Sequence, residues 1–468
     1  MTENGSVISM YHINFEKPCH VHFIGIGGIS MSGLAEILLE EHFTVSGSDT
    51  KESPLTRRLE KNGAAVFYGQ KAANIIEGID VVVYTAAIHE DNAEFQEAKR
   101  QNLPMLSRAE LLGQLMQNYK TPVAVAGTHG KTTTTSMLSH IFLEGNLDPT
   151  ISVGGILKAI GGNIRVGGSE LFITEACEYT NSYLHFFPKI SIILNIDADH
   201  LDFFKDLDDI RHSFHQFAGL LPADGTLVIN GDIPRLSEIT DGLPCRIVRF
   251  GKDASCEYQA GGISYDNLGN ASFDVIRSGK TGEHISLSVG GEHNVYNALA
   301  CIAVADLLDI PAETVQNGLA SFHGTDRRFE LKGEMNGITI MDDYAHHPTE
   351  IKATLTSAAH FPHREIWCIF QPHTYTRTKA LFHEFAEALS HADHVILADI
   401  YAARETDTLG VSSAQLADAI RGRGRDALYL PGFSEIESYV REHCQKGDLL
   451  ITMGAGDVVK IGEELLKR

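Results

Sequence analysis

The residues best placed to do chemistry stand at 127–132, GTHGKT. The apolar run 123–126 before them reads as a buried parallel strand, and Lys131-Thr132 open a predicted helix. Strand, glycine turn and helix start make a cradle for phosphate, in which turn N–H groups and the positive end of the helix dipole face the anion. In such a cradle Lys131 reaches the β- and γ-phosphates and the Thr132 hydroxyl holds Mg²⁺. The spacing departs from the standard phosphate loop, because only Thr128 and His129 separate Gly127 from Gly130. Further on, Glu175 and His200 follow the predicted strands 171–174 and 191–196. Carboxylate oxygens beside a phosphate turn suit Mg²⁺, and an imidazole can join them. Glu175 and His200 are therefore candidate metal residues with Thr132, whereas Asp197, Asp199 and Asp202 read as capping or solvated acids.

Alternating strands and helices supply the elements that would position these groups. Apolar runs at 21–26, 44–49 and 81–84 read as strands and 30–42 as a helix, which implies βαβ units on a parallel sheet. The first turn, Gly25-Ile-Gly27-Gly28-Ile-Ser30, is close to a dinucleotide fingerprint, with Ser30 in place of the third glycine. Asp49 stands about 20 residues on, where a ribose-binding acid belongs. Two ligands fit this turn, a nicotinamide cofactor or another nucleotide diphosphate, and a turn used only for packing is the alternative. Thr85 opens the loop 85–90 at a predicted strand end, where open sheets place ligands. Arg108, ahead of the helix 109–116, either meets an anion or lies in solvent.

The phosphate turn opens a second unit. Glycine pairs at 154–155, 161–162 and 167–168 read as a mobile loop near a ligand or as hairpin turns. Short runs across 246–290 predict antiparallel strands, and the stretch 290–297 opens a helix running to about 308, with His293, Asn294 and Asn297 either reading a purine edge or serving only as helix-start polars. A third βα sheet follows the junction at 322–329, with strands at 338–341, 366–370, 395–398 and 449–452. Four polar loops at its strand ends, 342–348, 371–377, 399–405 and 454–457, make a binding edge.

Composition bounds the alternatives. At 468 residues the chain exceeds one core and suggests about three domains. A net charge of −23 argues against nucleic acid or an anionic membrane as partner, so any anionic substrate must meet local turns, helix ends and metal ions. The N-terminal stretch has no basic-then-apolar signal pattern, and no apolar run is long enough to span a bilayer. Seven scattered cysteines without CxxC pairs fit reduced thiols in a cytoplasmic protein.

Together the segments IGIGGISMSGLAE, AGTHGKTTTT, TEACEYTNSYL, NIDADHLD, GEHNVYNALA, GTDRRFE, DDYAHHPTE, FQPHTYTRTK, DIYAARE and MGAGD resemble the Mur ligase family, in its order and over nearly the whole chain. The resemblance implies an α/β fold of three domains. These are a Rossmann-like UDP-sugar-binding sheet over 1–117, a central P-loop ATPase-type domain over 118–323 and a C-terminal Rossmann-like amino-acid-binding domain over 324–468. It implies ATP as consumed substrate with Mg²⁺, and UDP-N-acetylmuramate and L-alanine as partners of a monomer or weak homodimer. By residue, it implies that Gly25, Gly27, Gly28, Ser30, Asp49, Thr85 and Arg108 serve the UDP-sugar and no nicotinamide. Gly127, Thr128, His129, Gly130, Lys131, Thr132 and Thr133, with Asn297, Arg328 and Asp343, would serve ATP. Thr132 and Glu175 match positions around one Mg²⁺ and His200 a position on a second. Tyr344, His347, His373 and Arg377 match positions near the reacting carboxylate and incoming alanine, with Lys131, Glu175, His200 and His347 as the catalytic set.

Three departures bear on this. Thr374 stands where some relatives have a second arginine, leaving Arg377 for the alanine carboxylate. Cys177 and Thr180 replace acids of many relatives. No lysine lies between Lys205 and Lys252, where some sister ligases carry a carbamoylated one. The implied chemistry is acyl activation, with the γ-phosphoryl group moved to a carboxylate before amine attack. The rivals are a sister ligase attaching a recovered peptide, a nicotinamide oxidoreductase and a non-catalytic nucleotide switch.

Overall fold

The computed structural model describes residues 11–467 except Ala86, Leu268, Arg404, Asp407 and Thr408. Three sheets follow one another along the chain. The first has five parallel strands in the order Ala65–Tyr68, Thr44–Asp49, His20–Ile24, Val81–Tyr84 and Met105–Ser107. Helices Ile29–Glu40, Pro54–Lys61 and Ala93–Arg100 make the crossovers that parallel pairing requires.

In the ten-stranded central sheet, Thr121–Ala126 lies between Leu171–Glu175 and Ile190–Ile193, parallel to both. These strands are covered on both faces, so they read as unbroken apolar runs. Their C-terminal ends bring Gly127, Glu175 and the loop after Ile193 to one edge of the sheet. The expectation of antiparallel strands across 246–290 holds only in part. Arg246–Phe250 pairs in parallel with Thr226–Asn230, and Tyr258–Tyr265, Asn270–Arg277 and Lys280–Gly290 form the antiparallel extension. The first two glycine pairs belong to a hairpin, Thr150–Leu157 against Gly162–Arg165, and Gly167-Gly168 follows its second strand.

The third sheet has six strands, ordered Glu330–Met335, Ile338–Asp343, Leu449–Met453, Ile366–Phe370, His394–Leu397 and Asp426–Tyr429. Its pairs are parallel except at the Glu330–Met335 edge. Against the central sheet, the buried helix Glu292–Leu307 brings Asn297 to the phosphate turn, with Asn294 accepting from the Asn297 amide. The helices Lys131–Glu144 and Ala312–Ser321 approach closely at Gly318, where a Cβ would fall 2.6 Å from the Ile141 Cα. Among the described residues no helix is long and apolar enough to cross a membrane. The seven cysteines are all free.

Candidate functional site

The phosphate turn takes a backbone path that its two glycines allow. Gly127 has φ +143° and Gly130 φ +83°, values that suit glycine and would strain other residues. A Cβ on Gly130 would also fall 2.9 Å from Asn297 Oδ1. Asn195 supports the turn from the neighbouring strand end. Its carbonyl accepts the Thr128 N–H at 3.2 Å. Its side-chain amide pairs with the His129 backbone both ways, at 2.8 and 3.0 Å.

Lys131 sits inside this turn. Its Nζ donates to the Gly127 and Thr128 carbonyls at 2.5 and 3.1 Å and to the two oxygens of buried Glu178 at 3.1 and 2.8 Å. Burial disfavours the ammonium, yet Glu178, with Cys177 and Glu175, more than offsets it and the Lys131 pKa is raised. Beside it the Thr132 hydroxyl donates to Glu175 Oε2 at 3.1 Å, and the Gly154 N–H donates to Oε1 at 2.6 Å. Burial raises the Glu175 pKa despite those bonds. Thr132 and Glu175 thus present hard oxygens together, the donor set Mg²⁺ takes alongside phosphate and water. His200 lies apart from them. Its Nε2 is 3.7 Å from Glu178 Oε1, and its ring packs on Tyr179 with centroids 4.6 Å apart. Among the described residues no three His, Cys, Asp or Glu side chains form a ready metal cage.

A cleft of about 690 Å³ opens from the turn towards the third sheet, lined among others by Thr133, Asn297, Arg328, Asp343 and Glu350. The adjacent arginines part company because Arg327 and Phe329 both take left-handed backbone. Arg327 pairs with buried Asp342 at 2.9 Å, and Arg328 faces the cleft, 3.5 Å from Glu350. Asp343 accepts N–H bonds from Phe329 and Ala345 at 2.8 and 2.7 Å, and burial pushes its carboxyl up to about 6. His129 reaches across the cleft, its ring 3.2 Å from Asp197 and 3.4 Å from Glu350. Burial disfavours its charge, but those two carboxylates raise its pKa to about 9.

A smaller pocket of about 400 Å³ lies on the other side of the loop after Ile193, lined among others by Asp199, His200, His373, Thr374 and Arg377. Asp199 is not a solvated acid: its Oδ1 accepts Arg377 Nε and Nη2 at 3.0 and 2.9 Å. Burial works against its ionisation, but Arg377 and the nearby histidines hold the carboxyl well below the usual range. Asp197 is likewise engaged by His129, while Asp202 accepts from the Tyr179 hydroxyl at 2.8 Å. Tyr344 lies under Arg327 and Arg328, which stand 4.9 and 5.5 Å from its ring centre. His347 caps the helix Pro348–Ala358, accepting the Thr349 N–H at 3.3 Å, and donates from Nε2 to the Ala198 carbonyl at 3.2 Å. Both its ring nitrogens are spent. His373 Nδ1 accepts from Arg377 at 3.2 Å, which puts the proton of its neutral form on Nε2. His346 donates from Nδ1 to the Tyr344 carbonyl at 3.0 Å, leaving Nε2 as an acceptor.

Three family descriptions match the chain in succession: "Mur ligase family, catalytic domain" over 20–120, "Mur ligase middle domain" over 125–305, and "Mur ligase, glutamate ligase domain" over 327–456. The chain belongs to the Mur ligase family. Mur ligases are ATP-dependent ligases of peptidoglycan synthesis, so the nicotinamide reading of the first turn falls. This Mur ligase is 58% identical over 459 residues to a UDP-N-acetylmuramate–L-alanine ligase of Lachnospira eligens, covering 98% of this chain and all of that one. The crystal structure of UDP-N-acetylmuramate–alanine ligase from Thermotoga maritima matches at TM-score 0.78 and 29% identity, over 96% of this chain and 99% of that chain. A murein peptide ligase from Psychrobacter arcticus matches at TM-score 0.67 and 27% identity, over 96% and 98%.

In this Mur ligase the first-sheet turn puts Gly25 at φ +88° and leaves Gly28 and Ser30 exposed at the start of helix Ile29–Glu40. Asp49 Oδ2 accepts the Gly27 N–H at 2.8 Å and Oδ1 the Thr50 N–H at 2.7 Å, so its carboxylate ties the loop instead of projecting. Thr85 is half-buried at the end of Val81–Tyr84. Arg108 opens helix Arg108–Met116 and is not a solvated side chain: burial lowers its pKa, against the opposing effect of Cys177. The loop 399–405 keeps Glu405, which accepts the Tyr375 N–H at 2.6 Å, whereas Arg404 falls outside the described residues. Sequence reasoning missed Glu178, Asn195, His346 and Glu350 as site groups. Each stands within a few residues of a chosen position, the one local signal that could have found them.

Proposed function

We propose that this Mur ligase joins L-alanine to the lactyl carboxylate of UDP-N-acetylmuramate in the cytoplasm, converting ATP to ADP and phosphate. The observation that carries the reading is the single loop 197–200 between two cavities. Asp197 lines the nucleotide cleft, and Asp199 and His200 line the smaller pocket. A phosphoryl donor and a small amino acid on opposite sides of one loop suit a carboxylate that is activated and then attacked. The choice of alanine rests on the names of the similar ligases from L. eligens and T. maritima.

In this reading 1–117 binds the UDP-sugar through the Gly25–Gly28 turn, Thr85 and Arg108; 118–323 binds ATP; and 324–468 binds the amino acid. Lys131 neutralises the γ-phosphate, Asn297 meets the adenine, and Arg328 with Asp343 reaches ATP from the third sheet. Mg²⁺ would be held by Thr132 and Glu175, with His200 at a second ion, and would neutralise charge on the transferring phosphate. A lactyl oxygen bonds to the γ-phosphorus as the bond to ADP breaks. The alanine nitrogen, its carboxylate on Arg377 beside His373, then bonds to the acyl carbon as phosphate leaves. His347 keeps no free ring nitrogen, so it is not the group that takes the amine proton.

The test uses UDP-N-acetylmuramate labelled with ¹⁸O in its carboxylate, with ATP and L-alanine. One label per turnover should appear in the released phosphate. Unlabelled phosphate rules out acyl activation.

A further inference from the structure

We propose that Asp199 is a positioning residue that aims Arg377 at the incoming amino acid across the interface between the central and third sheets. The inference rests on the amino-acid-ligase reading above. Asp199 follows the central strand Ile190–Ile193, and Arg377 belongs to the third-sheet helix Tyr375–Ala380, 178 positions away. Their side chains are 8% and 12% exposed, so the pair is shut away from solvent. Exposed pairs contribute little, but a shielded one holds its geometry.

Donor arithmetic gives the pair its purpose. A guanidinium has five N–H groups in a fixed fork. Asp199 Oδ1 takes the Nε and one Nη2 hydrogen, and His373 Nδ1 takes one from Nη1. One hydrogen remains on each terminal nitrogen, two charged donors left for the carboxylate of the amino acid. Asp199 therefore occupies one edge of the fork and leaves another for the substrate. Both residues line the 400 Å³ pocket, and nothing else on the central sheet pairs with Arg377 among the described residues.

Asp199 is itself anchored. Its Oδ1 accepts the His200 N–H at 2.7 Å, and Oδ2 lies 3.9 Å from His200 Nε2. The loop that carries His200 thus also sets the angle of the amino-acid arginine.

The experiment compares the full chain with Asp199→Asn, Arg377→Lys and the double variant. It measures KM for L-alanine, ATP and UDP-N-acetylmuramate separately, with thermal unfolding of each variant alongside. Asp199→Asn should raise the alanine KM tenfold or more and move the other two KM values less than twofold. The double variant should be no worse for alanine than Arg377→Lys alone, because Asp199 acts through that arginine. An unchanged alanine KM, a parallel rise in all three, or strictly multiplicative effects would overturn the proposal. Where Asp199→Asn unfolds, Asp199→Glu replaces it under the same criteria. Absence of alanine-dependent turnover in the unsubstituted chain would instead remove the function proposed above.

Discussion

Lys131 gives its ammonium hydrogens to two turn carbonyls and to Glu178, so its charge is stored against a protein carboxylate until phosphate arrives. Replacing it with alanine removes the charge nearest the transferring group, and kcat for phosphate release should fall by about 10³-fold. The Glu178→Gln variant leaves Lys131 with a neutral partner. It should lose about 1–3 kcal/mol of stability in urea unfolding, the cost of a partly unpaired buried cation. A non-hydrolysable ATP analogue supplies the missing anion, so it should raise the unfolding midpoint more in Glu178→Gln than in the parent. Equal shifts would mean that Lys131 and Glu178 are not in competition with phosphate. Asp199 and Glu350 show what sequence could not supply at this scale. Both are ordinary acids beside more conspicuous residues, and their meaning comes from Arg377 and His129, which lie far along the chain.

Among the elements, the cradle was legible because all its parts are local. An apolar strand, two glycines and a helix start lie within a dozen positions, and the strand and helix fall within about two residues of expectation. The misread strand Arg246–Phe250 and the short edge strands Ala65–Tyr68 and Met105–Ser107 are different. They have few residues and mixed burial, and their pairing is chosen by the neighbouring strand and not by their own pattern. Helix packing gives one prediction here. Gly318→Ala would push a Cβ to 2.6 Å from the Ile141 backbone, so it should destabilise by about 1–3 kcal/mol, read as a lower unfolding midpoint. The contact of His129 with Glu350 gives another. Its folded pKa of about 9 stands above its ordinary 6.5, so the stabilisation is complete below 6.5 and is lost as pH rises through about 9. Thermal midpoints should fall between about pH 7 and about pH 10 by an amount worth roughly 2–3 kcal/mol. The His129→Gln variant should show a flatter profile over that range, and an identical slope in both would contradict the assignment.

At the scale of the whole molecule, three sheets contribute edges that are each incomplete. The first offers an exposed glycine turn, the second the phosphate cradle, and the third Arg328 and Arg377. The three-part α/β order was readable from repeated strand–helix alternation and from motifs spread over the chain. The meeting of the parts was not, because the contacts that join them, His129 to Glu350 and Asp199 to Arg377, obey no sequence period. The central claim is that this assembly ligates one particular amino acid to the UDP-sugar. Phosphate release from ATP, measured with UDP-N-acetylmuramate and each amino acid or the recovered tripeptide in turn, tests it most directly. The account predicts release that needs the UDP-sugar and is greatest with L-alanine, with a product heavier by one alanine residue. Release without the UDP-sugar, or faster turnover with the tripeptide than with L-alanine, would contradict it.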